Sequence, residues 1–191
     1  MSEHRAMHKK VSFAAMEDGT QEDYDLLDTF LEASDADYAD RVLGWLKALE
    51  GDSPYQVSRL EHCLQTATRA ENDGADDETI VCALLHDIGD HIAPGNHSQI
   101  AAAMLAPFVS EKNLWIVKHH GQFQGYYYFH FTGEDRHARE RYKDHPYYQD
   151  CVDFCANWDQ PSFDPNFETK PLAHFEPKLR ALLDKKSGAY Y

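Results

Sequence analysis

Apolar residues recur at three- and four-residue steps through most of this chain, and runs of strict alternation long enough for a strand are nearly absent. That period fixes the fold class as all-α, a bundle whose helices turn apolar stripes inward. The pattern predicts helices at about 21–32, 36–50, 55–73, 77–88, 98–109, 112–121, 136–158 and 175–186. Gly51, Gly74, Gly89, Gly95, Gly121 and Pro161 punctuate them, and the acidic pairs Asp76-Asp77 and Glu134-Asp135 suit helix starts through the macrodipole. At 191 residues the chain fits one domain and can bury a sizeable core. A single domain over 1–191 is therefore expected, with a mobile N-terminus at 1–19 and an extended segment at 160–174 wrapping the surface.

Charge then narrows the partners. With 18 Lys+Arg against 33 Asp+Glu, the formal net charge is −15. Such a chain repels a phosphate backbone and an anionic membrane surface, so neither nucleic acid nor membrane is an expected partner. The most apolar stretch, Ile100 to Val109, contains Pro107 and falls far short of the roughly 20 residues that a spanning helix needs. Val11 to Met16 is too short for a secretory core and runs into Glu17-Asp18, which leaves the cytoplasm as the expected compartment. Cys63, Cys82, Cys151 and Cys155 include no Cys-x-x-Cys pair and sit among apolar residues, so they read as reduced, buried small hydrophobes.

The chemistry gathers around His86-Asp87, a dyad at the end of the apolar helix that stops at Gly89. Adjacent helical residues point about 100° apart, so both side chains can address one point only at a helix end. Gly74 lies twelve residues after His62 and twelve before His86. A helical hairpin turning there brings the two histidines level. His97 follows Pro94-Gly95-Asn96 at a helix start, and His120 ends the helix that carries Leu114, Trp115, Ile116 and Val117, with His119 beside it as the alternative. Asp159 shares a face with Cys151 and Cys155 at steps of four, and an inward carboxylate needs a partner, for which a metal is suited. Four imidazoles and two carboxylates exceed what one tetrahedral zinc takes and suit two octahedral ions with one carboxylate bridging.

The order His62, His86-Asp87, Asp159 resembles the signature of the HD-domain superfamily. Leu60-Glu61-His62, Ala83-Leu84-Leu85-His86-Asp87-Ile88-Gly89, Asn96-His97-Ser98 and Asn157-Trp158-Asp159 are similar to the mixed-valence diiron oxygenases of that superfamily. Those include enzymes of organophosphonate degradation and, more distantly, myo-inositol oxygenase. The resemblance spans roughly 55–160, which it marks as a metal-binding core. It implies an HD-domain helical bundle with a dinuclear site between helices, two iron ions as Fe(II)/Fe(III), and dioxygen as co-substrate. It further implies that His62, His86, Asp87 and Asp159 hold one iron, and that Asp87 bridges to a second held by His97 and His120. Asp87, His97 and His120 are then the catalytic group. The reaction implied is oxidative C–P cleavage of a 1-hydroxyphosphonate to a carboxylate and phosphate. Two such irons outweigh two carboxylates in charge, so the metal centre would attract an anion to an acidic protein. The superfamily's other chemistry, metal-dependent hydrolysis of a phosphoester, is the alternative.

The tail of the substrate is read from Tyr126-Tyr127-Tyr128-Phe129-His130-Phe131. Such a run either holds an amine or trimethylammonium group by cation–π attraction, giving a product such as glycine betaine, or packs an extended segment onto the helices. Tyr126 and Tyr128 are the candidates from this run, with Gln124, Tyr55, Asp90 and Lys118 as further substrate contacts. Gln124 and Asp90 stand where the phosphonate relatives carry potential anion contacts, and Tyr55 is placed to act as a lid. Lys118, Arg136, Arg139 and Arg141 either replace the lost anion contacts or form a solvated face.

Overall fold

The computed structural model describes residues 9–184, less the side chains at 32–35. Among these residues there are eight α-helices and no strand: α1 (Gln21–Ala36), α2 (Tyr38–Lys47), α3 (Arg59–Asn72), α4 (Asp77–Leu85), α5 (His97–Leu105), α6 (Glu111–Thr132), α7 (Tyr148–Phe154) and α8 (Leu172–Leu183). The all-α bundle follows as the period requires.

At the centre runs α4. Ile80 to Leu85 are all buried, as suits a helix that is apolar all round. The carboxylate of Asp76 accepts the Thr79 amide at 2.8 Å and starts it. In the same way Ser58 caps α3 by accepting from the Glu61 amide at 3.0 Å. Between the two, Gly74 takes φ of +80°, and the Ala75 amide donates back to the Ala70 carbonyl at 3.0 Å, the closing bond of a left-handed C-terminal turn. The hairpin expected at Gly74 is therefore present, and it sets α3 beside α4.

Two helices depart from expectation, each for a physical reason. α6 does not stop at Gly121 but continues to Thr132, so the aromatic run is helical and not an extended segment. A glycine inside a helix costs only about 1 kcal/mol against alanine. Here that cost is offset by close packing, since a Cβ at Gly121 would stand 2.8 Å from Ser98 Oγ on α5. The helix ends at Gly133, which takes the left-handed conformation. The single helix expected over 136–158 is instead broken into a short 3-10 turn at Ala138–Tyr142 and α7, because Pro146 disfavours helix at His145.

Residues 1–8 of the expected mobile N-terminus lie outside the described residues. Within 9–19, Ser12 donates through its amide (2.8 Å) and hydroxyl (2.9 Å) to Asp23. The four cysteines are free and buried. Among the described residues no helix is long and apolar enough to cross a membrane.

Candidate metal centre

Three helices and two turns deliver the site. His62 stands on α3, His86 caps the end of α4 with Asp87 next to it, and His120 lies on α6. His97 opens α5. Asp159 ends a π-helical turn, Cys155–Asp159, that follows α7, closed by the Gln160 amide donating to the Cys155 carbonyl at 3.0 Å. An extra residue in a helical turn re-aims the side chain after it, a device found often at functional sites. Here it leaves Asp159 buried and facing His62.

Each imidazole is oriented by a main-chain carbonyl. Nδ1–H of His62 donates to Ser162 (2.9 Å), that of His86 to Ala83 (2.8 Å), that of His97 to Pro94 (2.7 Å) and that of His120 to Val117 (2.7 Å). With Nδ1 carrying the hydrogen, all four Nε2 lone pairs turn toward the same interior, as metal-binding histidines do. His62 Nε2 and His86 Nε2 are 3.1 Å apart. Two ring nitrogens that close need a proton or a metal cation between them.

The carboxylates complete the pattern. Asp87 Oδ1 lies 3.1 Å from His120 Nε2 and 3.4 Å from His97 Nε2, while Oδ2 lies 3.3 Å from His62 Nε2 and 3.5 Å from His86 Nε2. One side chain thus faces two histidine pairs with different oxygens, which is the disposition of a bridging ligand. Asp159 Oδ1 sits 3.3 Å from His62 Nε2 and 3.6 Å from His86 Nε2. Ligand atoms of His62, His86 and Asp159 fall within 4.8 Å of one another, as do those of His86, Asp87 and His120.

The buried charges point the same way. Asp159 Oδ2 and Gln124 Oε1 are buried with no hydrogen-bond partner, and an anionic oxygen left so costs several kcal/mol. Burial opposes protonation of His62, but its hydrogen bonds to Asp159 and Asp87 outweigh this and push the imidazole up to about 9. Against burial, His86, His120, His62 and Arg59 hold Asp87 well below the usual carboxylate range. A divalent ion would take the place of that proton and satisfy the orphaned oxygen. The donor set fits a metal.

Over residues 59–152 the sequence matches the HD-domain family. This chain carries an HD domain. HD domains are typically metal-dependent enzymes that bind a divalent metal. Asp159 lies beyond the matched stretch, so its arrival beside His62 is a finding of the geometry. No curated protein matches the chain.

The other candidates are distributed around the HD-domain centre. His119 turns away from it, stacked on Trp115 at 4.3 Å, while His120 faces Asp87. Gln124 donates to Asp159 Oδ1 at 3.1 Å, which makes it a support for that carboxylate. Asp90 accepts from Arg59 Nε at 2.6 Å and from Arg59 Nη2. Tyr55 is exposed, tilts onto Phe163 at 4.7 Å and lies under the Arg59 guanidinium. Phe163 in turn stacks on His62 at 4.2 Å. Burial raises the Tyr128 phenol, with Glu134, Tyr55, Asp159 and Asp87 adding to it, so Tyr128 keeps its proton, and its ring packs edge-on to Phe129 at 5.0 Å. Tyr126 is elsewhere: its ring is covered by Arg139 at 3.8 Å and Arg136 at 4.4 Å. Lys118 lines a cleft beside His97.

Sequence reasoning missed Arg59, whose Nη2 donates to Asp87 Oδ2 at 2.8 Å. It stands three residues before His62 on the same helix face, a spacing that could have revealed it. It also missed why Gly89 is a glycine. A Cβ there would meet the His97 carbonyl oxygen at 2.4 Å and its Cα at 2.6 Å, both backbone atoms. Gly89→Ala must therefore push His97 outward. The melting temperature is expected to fall by several degrees, since overpacking costs about 1–3 kcal/mol, and the affinity of the centre for metal is expected to fall with it. Melting curves and metal analysis of the dialysed variant check this, and wild-type values in both would contradict it.

Proposed function

We propose that the protein is a mixed-valence diiron oxygenase that cleaves the C–P bond of a 1-hydroxyphosphonate. The observation that carries this reading is the division of Asp87 between two histidine pairs, Oδ2 toward His62 and His86, Oδ1 toward His97 and His120. A lone metal needs no such division. The bound iron pair supplies redox chemistry with dioxygen and Lewis acidity toward the substrate's hydroxyl and phosphonate oxygens. The reaction balances without an external reductant: the C–H and C–P bonds break, and the two atoms of dioxygen supply the one oxygen that each product, carboxylate and phosphate, lacks.

The chain's own residues do the positioning. Four carbonyls lock the imidazole rings, and Gln124 holds Asp159 in plane by donating to Oδ1. Arg59, anchored by Asp90, keeps Asp87 ionised and fixes which of its oxygens faces each pair. Phe163 and Tyr55 close the His62 side with ring faces and limit water there. Tyr128 retains a phenolic proton that it can donate to a substrate oxygen.

The test is low-temperature EPR of iron-loaded protein, partly reduced with ascorbate, before and after adding hydroxyphosphonates, together with oxygen uptake and phosphate release. A spin-coupled Fe(II)/Fe(III) signal that sharpens with one compound, and phosphate release that stops without oxygen, are the expected results. Two redox-silent metals that support phosphoester hydrolysis under anaerobic conditions would replace this reading with the phosphohydrolase.

A further inference from the structure

A cleft of about 410 Å³ runs between α5 and α6 and is lined by His97, Lys118, His119, Gln122, Arg141 and Tyr142, among others. It reaches the centre at one point. The His97 side chain is 23% exposed, whereas those of His62, His86 and His120 are at most 2% exposed. Gly121 forms part of the wall, and a Cβ on it would stand 3.3 Å from His97 Nε2. The missing side chain keeps the path from the cleft to that nitrogen open.

Two cations, Lys118 and Arg141, line the cleft. Lys9, Arg59, Lys112, Lys170, Lys178 and Arg180 each have a carboxylate within salt-bridge reach. Among the described residues, no carboxylate within that reach faces Lys118 or Arg141. The Arg141 guanidinium is aimed by neutral groups, donating to Gln122 Oε1 and, at 2.8 Å, to the Tyr142 hydroxyl. In a chain of net charge −15, two cations without an internal counter-charge over one cleft form a focused positive field. The aromatic run offers a cationic tail less. The Tyr126 ring already carries two guanidinium groups of the chain itself.

We propose that this cleft receives a second anionic group of the substrate, a carboxylate or phosphoryl group remote from the reacting carbon, held by Lys118 and Arg141. The substrate is then an acid with two anionic ends, not a phosphonate with a quaternary ammonium tail. The inference rests on the metal centre being where the substrate reacts. It does not depend on whether the reaction is oxidative.

Titration calorimetry on the metal-loaded full chain tests it with compounds that lack the hydroxyl and are not turned over. Methylphosphonate, phosphonoacetate, phosphonopropionate and aminoethylphosphonate present the same head to the metals and differ in the tail. At least one of the two acids is expected to bind about tenfold tighter than methylphosphonate, a gain typical of charge-assisted hydrogen bonds, and the amine no tighter. In Lys118→Gln/Arg141→Gln the advantage of the acid is expected to shrink to about twofold or less, while methylphosphonate binds as before. Both substitutions are at exposed positions, and matching circular dichroism shows that the fold is kept. An amine that binds tightest, acids with no advantage, or an advantage that survives in the double variant overturns the proposal. A redox-silent centre in the EPR experiment would remove the oxygenase and leave this binding result standing.

Discussion

Asp87→Ala is expected to strip both metals from the protein, whereas His97→Ala is expected to lose one. The difference follows from the oxygens. Asp87 Oδ1 serves the His97 and His120 side, and Oδ2 serves the His62 and His86 side, so its removal takes one anionic ligand from each. His97 faces only Oδ1, and the group formed by His62, His86 and Asp159 does not include it. Perturbing even an outer partner of a metal ligand costs about 10–100-fold in affinity, and loss of a shared anionic ligand costs more. Metal per chain after dialysis is therefore expected to fall from about two to near zero in Asp87→Ala and to about one in His97→Ala. Asp87→Asn controls for folding, because it keeps the volume and can still accept from Arg59 Nη2 while losing the bridging charge. Should Asp87→Ala hold as much metal as the wild type, the bridging assignment is wrong.

The parts of this centre that were legible in the sequence are those set by helix geometry alone. His62 and His86 meet because equal spacing about Gly74 needs only a tight turn between two helices, and Gly74 supplies it with φ of +80°. Asp159 shares its face with Cys151 and Cys155 by steps of four, and all three are buried. The π turn that delivers it carries no sequence signal of its own. Gly121 misled because a glycine in mid-helix reads as a stop, and its reason for being there, the approach of α5, is tertiary. Because the helix was expected to stop at Gly121, the aromatic run was expected either to hold a cationic tail or to pack as an extended segment. On a helix its members spread around the axis, so Tyr126 meets arginines while Tyr128 packs edge-on to Phe129 and Phe131 is exposed. Phe163 was out of reach altogether, since nothing near it in sequence says that it will stack on a histidine 101 residues earlier.

The second large effect is a pH dependence of the metal-free protein that bound metal removes. In the metal-free protein His62 is raised from an ordinary value of 6.5 to about 9. The stability this contributes is fully present below about pH 6.5 and is lost as pH rises through about 9. Asp87 and Asp159 are shifted the other way, so their contribution is present above about pH 4 and lost in acid. The metal-free protein is thus expected to melt highest between about pH 4.5 and 6.5 and to weaken toward pH 8.5. Metal binding displaces the His62 proton, so affinity rises by up to about tenfold per pH unit across that same window. Stabilisation by a ligand grows with the logarithm of its affinity, about 1.4 kcal/mol per pH unit here, or roughly 3–5 °C in a chain of this size. Melting temperatures at about pH 6, 7 and 8, with excess Mn(II) as a redox-stable probe and after chelation, give the comparison directly. The gap between the two curves is expected to widen with pH, chiefly because the chelated curve falls. A gap that stays constant or narrows would mean that His62 holds no proton for the metal to displace, and with that the placement of His62 among the ligands would fail.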